Sequence, residues 1–414
     1  MNSFLLYALC FAIVIAIVHF KFNLTPPLFG SILIGFWIIK MKFHRRFGIG
    51  ITCFKNPKPN SKAEIDVDAE LLEVPPHLVI MVNGIVGSSA DWRFAAEQFL
   101  EKLPDKVIVH RSECNSSKLT FDGVDTMGER LAEEVLSVVS RWPGLKKISF
   151  VAHSLGGLVA RYAIARLFEY SSTLESEVTR RICNCKEETE CTKNCIEQNY
   201  EARIAGLEPM NFITFATPHL GSRGNKQLPF LCGLAFLERR ASQTAHLVVG
   251  RTGKHLFLMD NDDGKPPLLL RMIENSDDLK FMSALRAFKR RVAYANANFD
   301  HMVGWRTSSI RRQHELPTFD LQLIDEKYPH IVHAKVGTVD DLSAKESTNV
   351  GDQTIDTEEE MIRGLTQVPW ERVDVSFRKS KQRYVAHSTI QVKTYWLHSD
   401  GSDVIFHMID KFLI

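Results

Sequence analysis

Neither sign of charge dominates this chain of 414 residues: 51 Lys and Arg stand against 49 Asp and Glu, a net charge of +2. So weak an overall field excludes a protein built mainly to grip nucleic acid by neutralising phosphates. With 45% hydrophobic and 24% charged residues, the chain also lacks the bias of collagen, mucin or a wholly disordered protein. No internal repeat is evident, so the chain is not a repeat array. Acid is missing altogether from the first 62 residues, which hold eight Lys and Arg. The remainder, with 43 basic and 49 acidic side chains, carries −6. The amino end is therefore a separate element.

Residues 1–39 contain one charged side chain, Lys21, between apolar runs at 4–20 and 28–39. The first run spans about 25 Å as a helix against a hydrocarbon core of about 30 Å, and the second is shorter. Thr25-Pro26-Pro27 breaks the helix between them, which leaves three arrangements: a re-entrant hairpin, one span with an interfacial helix, or two thin spans. A cleaved signal peptide fits less well, because no basic residue precedes Phe4 and the stretch His19-Phe20-Lys21-Phe22 offers no small-residue cleavage site. Lys40, Lys42, Arg45 and Arg46 follow the apolar block and would hold the rest of the chain on the cytosolic side. Residues 1–45 are thus expected to be a membrane anchor or hairpin. Residues 46–73, with Pro57, Pro59 and five acids, read as a polar linker, and 74–414 as one large domain with insertions.

Short apolar runs at 77–82, 106–110, 147–152, 211–215 and 291–295 alternate with helical patterns at 127–139 and 158–168. In the first helix Leu131, Val135, Leu136 and Val139 are expected on one face. That alternation predicts an α/β fold, a mostly parallel sheet flanked by helices.

The third run leads into Ala152-His153-Ser154-Leu155-Gly156-Gly157. A strand that turns into a helix at a serine, with small residues two positions to either side, has the form of a nucleophile elbow. The turn is too tight for a branched side chain at those flanks. Ala152 stands where G-x-S-x-G has its first glycine, and one methyl is the smallest possible departure. A nucleophilic serine needs a base and an acid to orient it, which in such folds follow in the order Ser, Asp or Glu, His. Asp300, just past the strand ending near Ala295, is the candidate acid. Fifteen histidines compete for the base. His153 adjoins the serine and is expected to point away from it, His301 adjoins the acid, and His407 falls within a helical pattern. His387, expected in a loop ahead of that last helix, is preferred over His398. The oxyanion hole is expected from Asn83-Gly84-Ile85, with the Ile85 amide acting beside that of Leu155.

The stretches VNGIVGSSADW, FVAHSLGGLVARYA, NFITFATPHLGSRG, YANANFDHMVGWRTSSIRR and YVAHSTIQV, in this order, resemble the eukaryotic putative serine esterase family, a lipase-like branch of the α/β-hydrolases. The likeness covers about residues 77–414. It implies the α/β-hydrolase fold, with Ser154, Asp300 and His387 as triad and the Gly84-Ile85 loop as oxyanion element. It also implies a lipase or phospholipase activity, for some members on lipid droplets or internal membranes such as the endoplasmic reticulum. It assigns no substrate. Three insertions are expected. Residues 174–208 hold Cys183, Cys185, Cys191 and Cys195, whose spacing departs from the paired CxxC of zinc ribbons. Disulfides are disfavoured on a cytosolic face, so a solvated loop without metal is expected there. Residues 226–288 look like a cap over the nucleophile, and 340–360 like an acidic loop. The function expected is a membrane-associated serine hydrolase that cleaves carboxylic esters, those of lipids above all, through an acyl-serine. It needs no metal or organic cofactor and no nucleic-acid partner. An acyltransferase with the same triad, or a non-catalytic hydrolase-fold scaffold, are the alternatives.

Overall fold

The computed structural model describes residues 75–171, 201–222, 249–261, 264–317, 325–336 and 357–414. Two units divide the chain, Met1–Leu72 and Glu73–Ile414, and all described residues lie in the second. The expected anchor at 1–45, the whole linker at 46–73, the four clustered cysteines and most of 340–360 lie outside the described residues. Among the described residues no helix is long and apolar enough to cross a membrane.

Seven strands form one sheet: β1 (His77–Val82), β2 (Val107–Arg111), β3 (Lys147–His153), β6 (Glu208–Phe215), β7 (Arg290–Asn296), β8 (Ile331–Val336) and β9 (Glu371–Val375). Two short strands, β4 (Phe168–Ser171) and β5 (Glu201–Ile204), pair separately. The spatial order is β2-β1-β3-β6-β7-β9-β8. Every neighbouring pair is parallel except β8 with β9. The carboxyl ends of β1, β3, β7 and β9 therefore meet along one edge of the sheet, where ligands bind in open α/β sheets.

Strand periodicity explains why the apolar runs are continuous. In β1, Leu78, Ile80 and Val82 face one layer while Val79 and Met81 face the other, so a strand covered on both sides has no polar face to alternate with. The first layer contains α2 (Val124–Arg141) and α3 (Leu155–Arg166), the second α1 (Arg93–Lys102) and the carboxy-terminal helix Ser402–Asp410. Phe150 and Phe212 are wholly buried against Phe288 in the first layer. Burial of one such ring contributes about 2–3 kcal/mol.

Three expectations need correction. In α2 the buried stripe runs through Val124, Met127, Leu131, Val135 and Val138, and Leu136 is exposed, because one residue further along turns the helix by about 100° and carries the side chain off that stripe. The helix after Ser154 begins at Leu155 rather than near 158, and Phe168 already opens β4. The later part of the expected cap is not a cover for the nucleophile. Leu268, Leu269, Phe281, Met282, Leu285 and Phe288 join the first core layer, where helices Leu268–Arg271 and Phe281–Ala287 bury their apolar faces beside α3.

Candidate active site

Ser154 lies between the end of β3 and the start of α3 with φ 53° and ψ −129°, a backbone conformation that L-residues seldom adopt and that turns the side chain out of the sheet edge. Its neighbours enforce the turn. Ala152 is wholly buried, and a β-carbon on Gly156 would stand 2.5 Å from the Asn83 carbonyl and 2.7 Å from that of Val82. Hence α3 starts in direct contact with the end of β1, which only glycine allows. The Ser154 amide donates to the Phe215 carbonyl of β6 at 2.8 Å.

Asp300 follows β7 and His387 follows β9, and the structure brings both to Ser154. His387 Nε2 is 3.0 Å from Ser154 Oγ, and His387 Nδ1 is 3.0 Å from Asp300 Oδ2. With an ionised carboxylate as acceptor, Nδ1 carries the proton, so Nε2 accepts from the serine hydroxyl. Burial opposes ionisation of Asp300, but the adjacent His387 imidazole, the Asn296 amide and the Val303 backbone amide outweigh it and hold the carboxyl below its ordinary range. Oδ1 accepts from the Met302 and Val303 amides, and Oδ2 also accepts from Asn296 Nδ2 at 2.8 Å. His387 is not in a loop, as expected, but on a one-turn helix, Ala386–Thr389.

The remaining histidines divide by geometry. Nε2 of His153 donates to the His387 backbone carbonyl at 2.7 Å, and the two rings lie 4.7 Å apart. Burial first, then the neighbouring His387, pushes the His153 pKa well below the ordinary imidazole value, so the ring is neutral. His407 is held in its helix against the Tyr294 hydroxyl, 2.9 Å from Nδ1. His398 contacts Thr394. His301 is exposed on the cavity wall.

The turn Gly84–Gly87 closes with Gly87 N donating to Gly84 O at 3.0 Å, and Val86 N donates to Thr120 Oγ1. Asn83 Nδ2 ties this turn to the Asn115 carbonyl and to that of Gly84. Neither the Ile85 amide nor the Leu155 amide donates a hydrogen bond to another described residue. Both therefore remain available to an oxyanion beside Ser154. A β-carbon on Gly84 would meet the Ser154 β-carbon at 2.9 Å, so the turn and the nucleophile are in contact. A cavity of about 260 Å³ opens here, lined by Ile85, Ser154, His387, Phe299, Met302, Tyr384 and Val385 among others. Its wall also holds an ion pair, Lys393 Nζ to Asp91 Oδ2 at 3.1 Å. No group of His, Cys, Asp or Glu among the described residues is arranged to hold a metal ion.

Asn296, Lys393 and Asp91 were absent from the expected site. Asn296 had a signal, a polar residue closing an apolar strand four positions before Asp300. Lys393 and Asp91 had none.

A mostly parallel sheet with flanking helices, a strained serine after the inner strand β3, and Asp and His following later strands in that order define an α/β-hydrolase-like protein. The chain belongs to the "Putative serine esterase (DUF676)" family, whose model matches residues 73–310, more than half of the chain. It is similar to "Putative lipase ROG1" of Saccharomyces cerevisiae, 29% identical over 238 residues that cover 56% of this chain and 28% of that protein. It is also similar to "Putative lipase C4A8.10" of Schizosaccharomyces pombe, 27% identical over 243 residues, 56% of this chain and 26% of that protein. The chain spans about a quarter to a third of the length of the curated relatives it matches. Among solved structures, Bacillus licheniformis lipase BlEst2 in mature form gives a TM-score of 0.30 at 14% identity, covering 55% of this chain and 67% of that one. Phospholipase PlaB from Legionella pneumophila in complex with thio-NAD gives 0.30 at 13%, covering 54% and 38%. Scores this low carry no argument, and the fold rests on the strand order above.

Proposed function

We propose that this chain is a serine hydrolase that cleaves the carboxylic esters of lipids through an acyl-serine intermediate. The observation that carries the reading is Ser154, at φ 53° on a strand-to-helix turn, with His387 Nε2 at 3.0 Å and Asp300 behind that imidazole at 3.0 Å. Oγ attacks the ester carbonyl as Nε2 takes its proton, and Asp300 stabilises the resulting imidazolium. The amides of Ile85 and Leu155 face the developing oxyanion. The imidazolium then returns its proton to the departing alcohol, and water activated by His387 releases the acid. Nucleophile, base, acid and oxyanion donors all belong to the chain, and water is the one further reactant this sequence calls for. Ile85, Phe299, Met302 and Val385 give the cavity an apolar wall suited to an acyl chain, and both relatives above are named as lipases.

A fluorophosphonate probe tests the nucleophile. Wild-type protein should be labelled and Ser154→Ala should not, with circular dichroism unchanged; labelling of the alanine variant would place the nucleophile elsewhere. The membrane part of the proposal, a cytosol-facing hydrolase tethered by residues 1–45, rests on their sequence. Deleting them should leave hydrolysis of a short soluble ester intact and lower turnover of a long-chain ester in vesicles, where tethering raises effective concentration. Equal loss of both activities would make the amino segment part of the catalytic domain, and loss of neither would point to a soluble substrate.

A further inference from the structure

We propose that residues 376–397, which reach the active-site cavity through Tyr384, Val385, His387, Ser388 and Lys393, form a docking surface for the headgroup layer of an anionic bilayer, with Trp396 as its most exposed large apolar side chain. The proposal rests on the lipid-ester reading and adds how the site meets its substrate. The charge pattern comes first. Residues 376–399 hold Arg378, Lys379, Lys381, Arg383 and Lys393 and no Asp or Glu, within a chain that is net acidic beyond residue 62. Among the described residues, Arg378, Lys379, Lys381 and Arg383 make no ion pair, and all four fall within six consecutive positions. Of the carboxylates bonded to this segment, Asp91 is paired with Lys393 and Asp300 with His387, while Asp400 accepts from the Ser380 hydroxyl and keeps its charge. Unpaired cations gain free energy at an anionic lipid surface, while the net-negative remainder is repelled from it. Together the two effects turn this surface toward the bilayer.

The second observation is independent of charge. Trp396 is 80% exposed, Tyr384 65% and Tyr395 57%, and Tyr384 also lines the cavity. Tyr395 stacks on Phe94 with ring centroids 5.0 Å apart, and Trp396 has no ring partner among the described residues. The Arg383 guanidinium lies 4.8 Å from the Tyr384 ring centroid and 5.7 Å from that of Phe299, which keeps a cation at the mouth. Exposed Trp and Tyr beside Lys and Arg is the chemistry of a membrane interface, where an amphipathic ring sits at headgroup depth. Since Tyr384, Val385 and Lys393 of the same segment line the cavity, a bilayer held there would let an acyl ester pass to Ser154 without crossing water.

The test uses the full chain in the Ser154→Ala background, so that vesicles are not consumed. The vesicles are phosphatidylcholine with phosphatidylserine, carrying lipids brominated near the headgroup. Since residues 1–45 could hold the chain to a vesicle by themselves, the readout is lipid contact at Trp396, not binding. Tryptophan fluorescence should be quenched, and Trp396→Phe should remove at least half of the quenched signal. With Ser154 intact, Arg378→Glu, Lys379→Glu and Lys381→Glu together should lower hydrolysis of a long-chain ester in these vesicles at least tenfold and leave a soluble butyrate ester within twofold. Quenching that ignores Trp396→Phe, or a triple variant as active on vesicles as wild type, overturns the proposal. If wild-type protein cleaves the soluble ester and no lipid ester while Trp396 is still quenched, the docking surface stands and the lipid-ester reading fails.

Discussion

Asp300→Asn should lower kcat by about 10⁴, or about 5.5 kcal/mol of transition-state stabilisation, without unfolding the protein. The magnitude follows from the four hydrogen bonds that converge on this carboxylate. Oδ1 accepts from the Met302 and Val303 amides, while Oδ2 accepts from Asn296 Nδ2 and His387 Nδ1. An asparagine keeps its single carbonyl where two backbone amides point. Its NH₂ then faces His387, and the imidazole must accept there through Nδ1. The ring proton moves to Nε2, which meets Ser154 Oγ as a donor and can no longer remove its proton. Steady-state kinetics on a soluble ester, from pH 6 to 9, measure the loss, and urea unfolding checks that the fold survives. An asparagine variant within tenfold of wild type would mean that another carboxylate serves His387, and the tautomer argument would fall with it.

Gly156→Ala should destabilise the protein by about 1–3 kcal/mol, because the new methyl meets the Asn83 and Val82 carbonyls at 2.5 and 2.7 Å; an unchanged urea midpoint would show that the helix start can yield. Glu134 supplies a pH dependence. Burial raises its pKa, but hydrogen bonds from His110, the Ser112 hydroxyl and the Glu113 amide prevail and bring it from 4.5 to about 2. The ionised form is therefore the stabilising one, fully effective above pH 4.5 and lost as pH falls toward 2, by up to about 3 kcal/mol. Urea midpoints between pH 6 and 3 should fall for wild type and flatten for Glu134→Gln; parallel curves would refute the assignment. Asp374 is wholly buried against Arg311 Nη1 at 2.7 and 2.8 Å, so Asp374→Asn should cost about 3–5 kcal/mol. Adding Arg311→Met should recover part of that loss, and a double variant less stable than the single one would contradict an unpaired charge as the cause.

Much of the sheet was legible in the sequence because strands buried on both faces become continuous apolar runs. The elbow was legible because strand, serine, small flanks and helix all fall within one window. Asp300 could be found by its place after β7. The one-turn helix of His387 could not, since four residues show no period. Leu136 was misplaced because it and Val135, adjacent in the chain, occupy different faces of the helix. The cap expected over 226–288 includes Leu268 to Phe288, which fill a core layer, because a run of leucines and phenylalanines looks the same whether it covers a groove or fills a layer. The Asp91 to Lys393 pair joins residues some three hundred positions apart and leaves no local pattern.

The bond from His153 to the His387 carbonyl closes a ring. The residue preceding the nucleophile grips the backbone of the base, while the base reaches back to the nucleophile. The separation of Oγ and Nε2 is therefore fixed by bonds other than the contact itself, that from His153 to the His387 carbonyl and that from His387 Nδ1 to Asp300, and the free protein already holds its reacting atoms at hydrogen-bonding distance. The entropy of bringing them together is lost on folding, not on binding substrate. An effector would thus gain little by assembling this site and would act on entry to it, and two esters with different kcat/KM would report different contacts along the cavity, not different degrees of assembly.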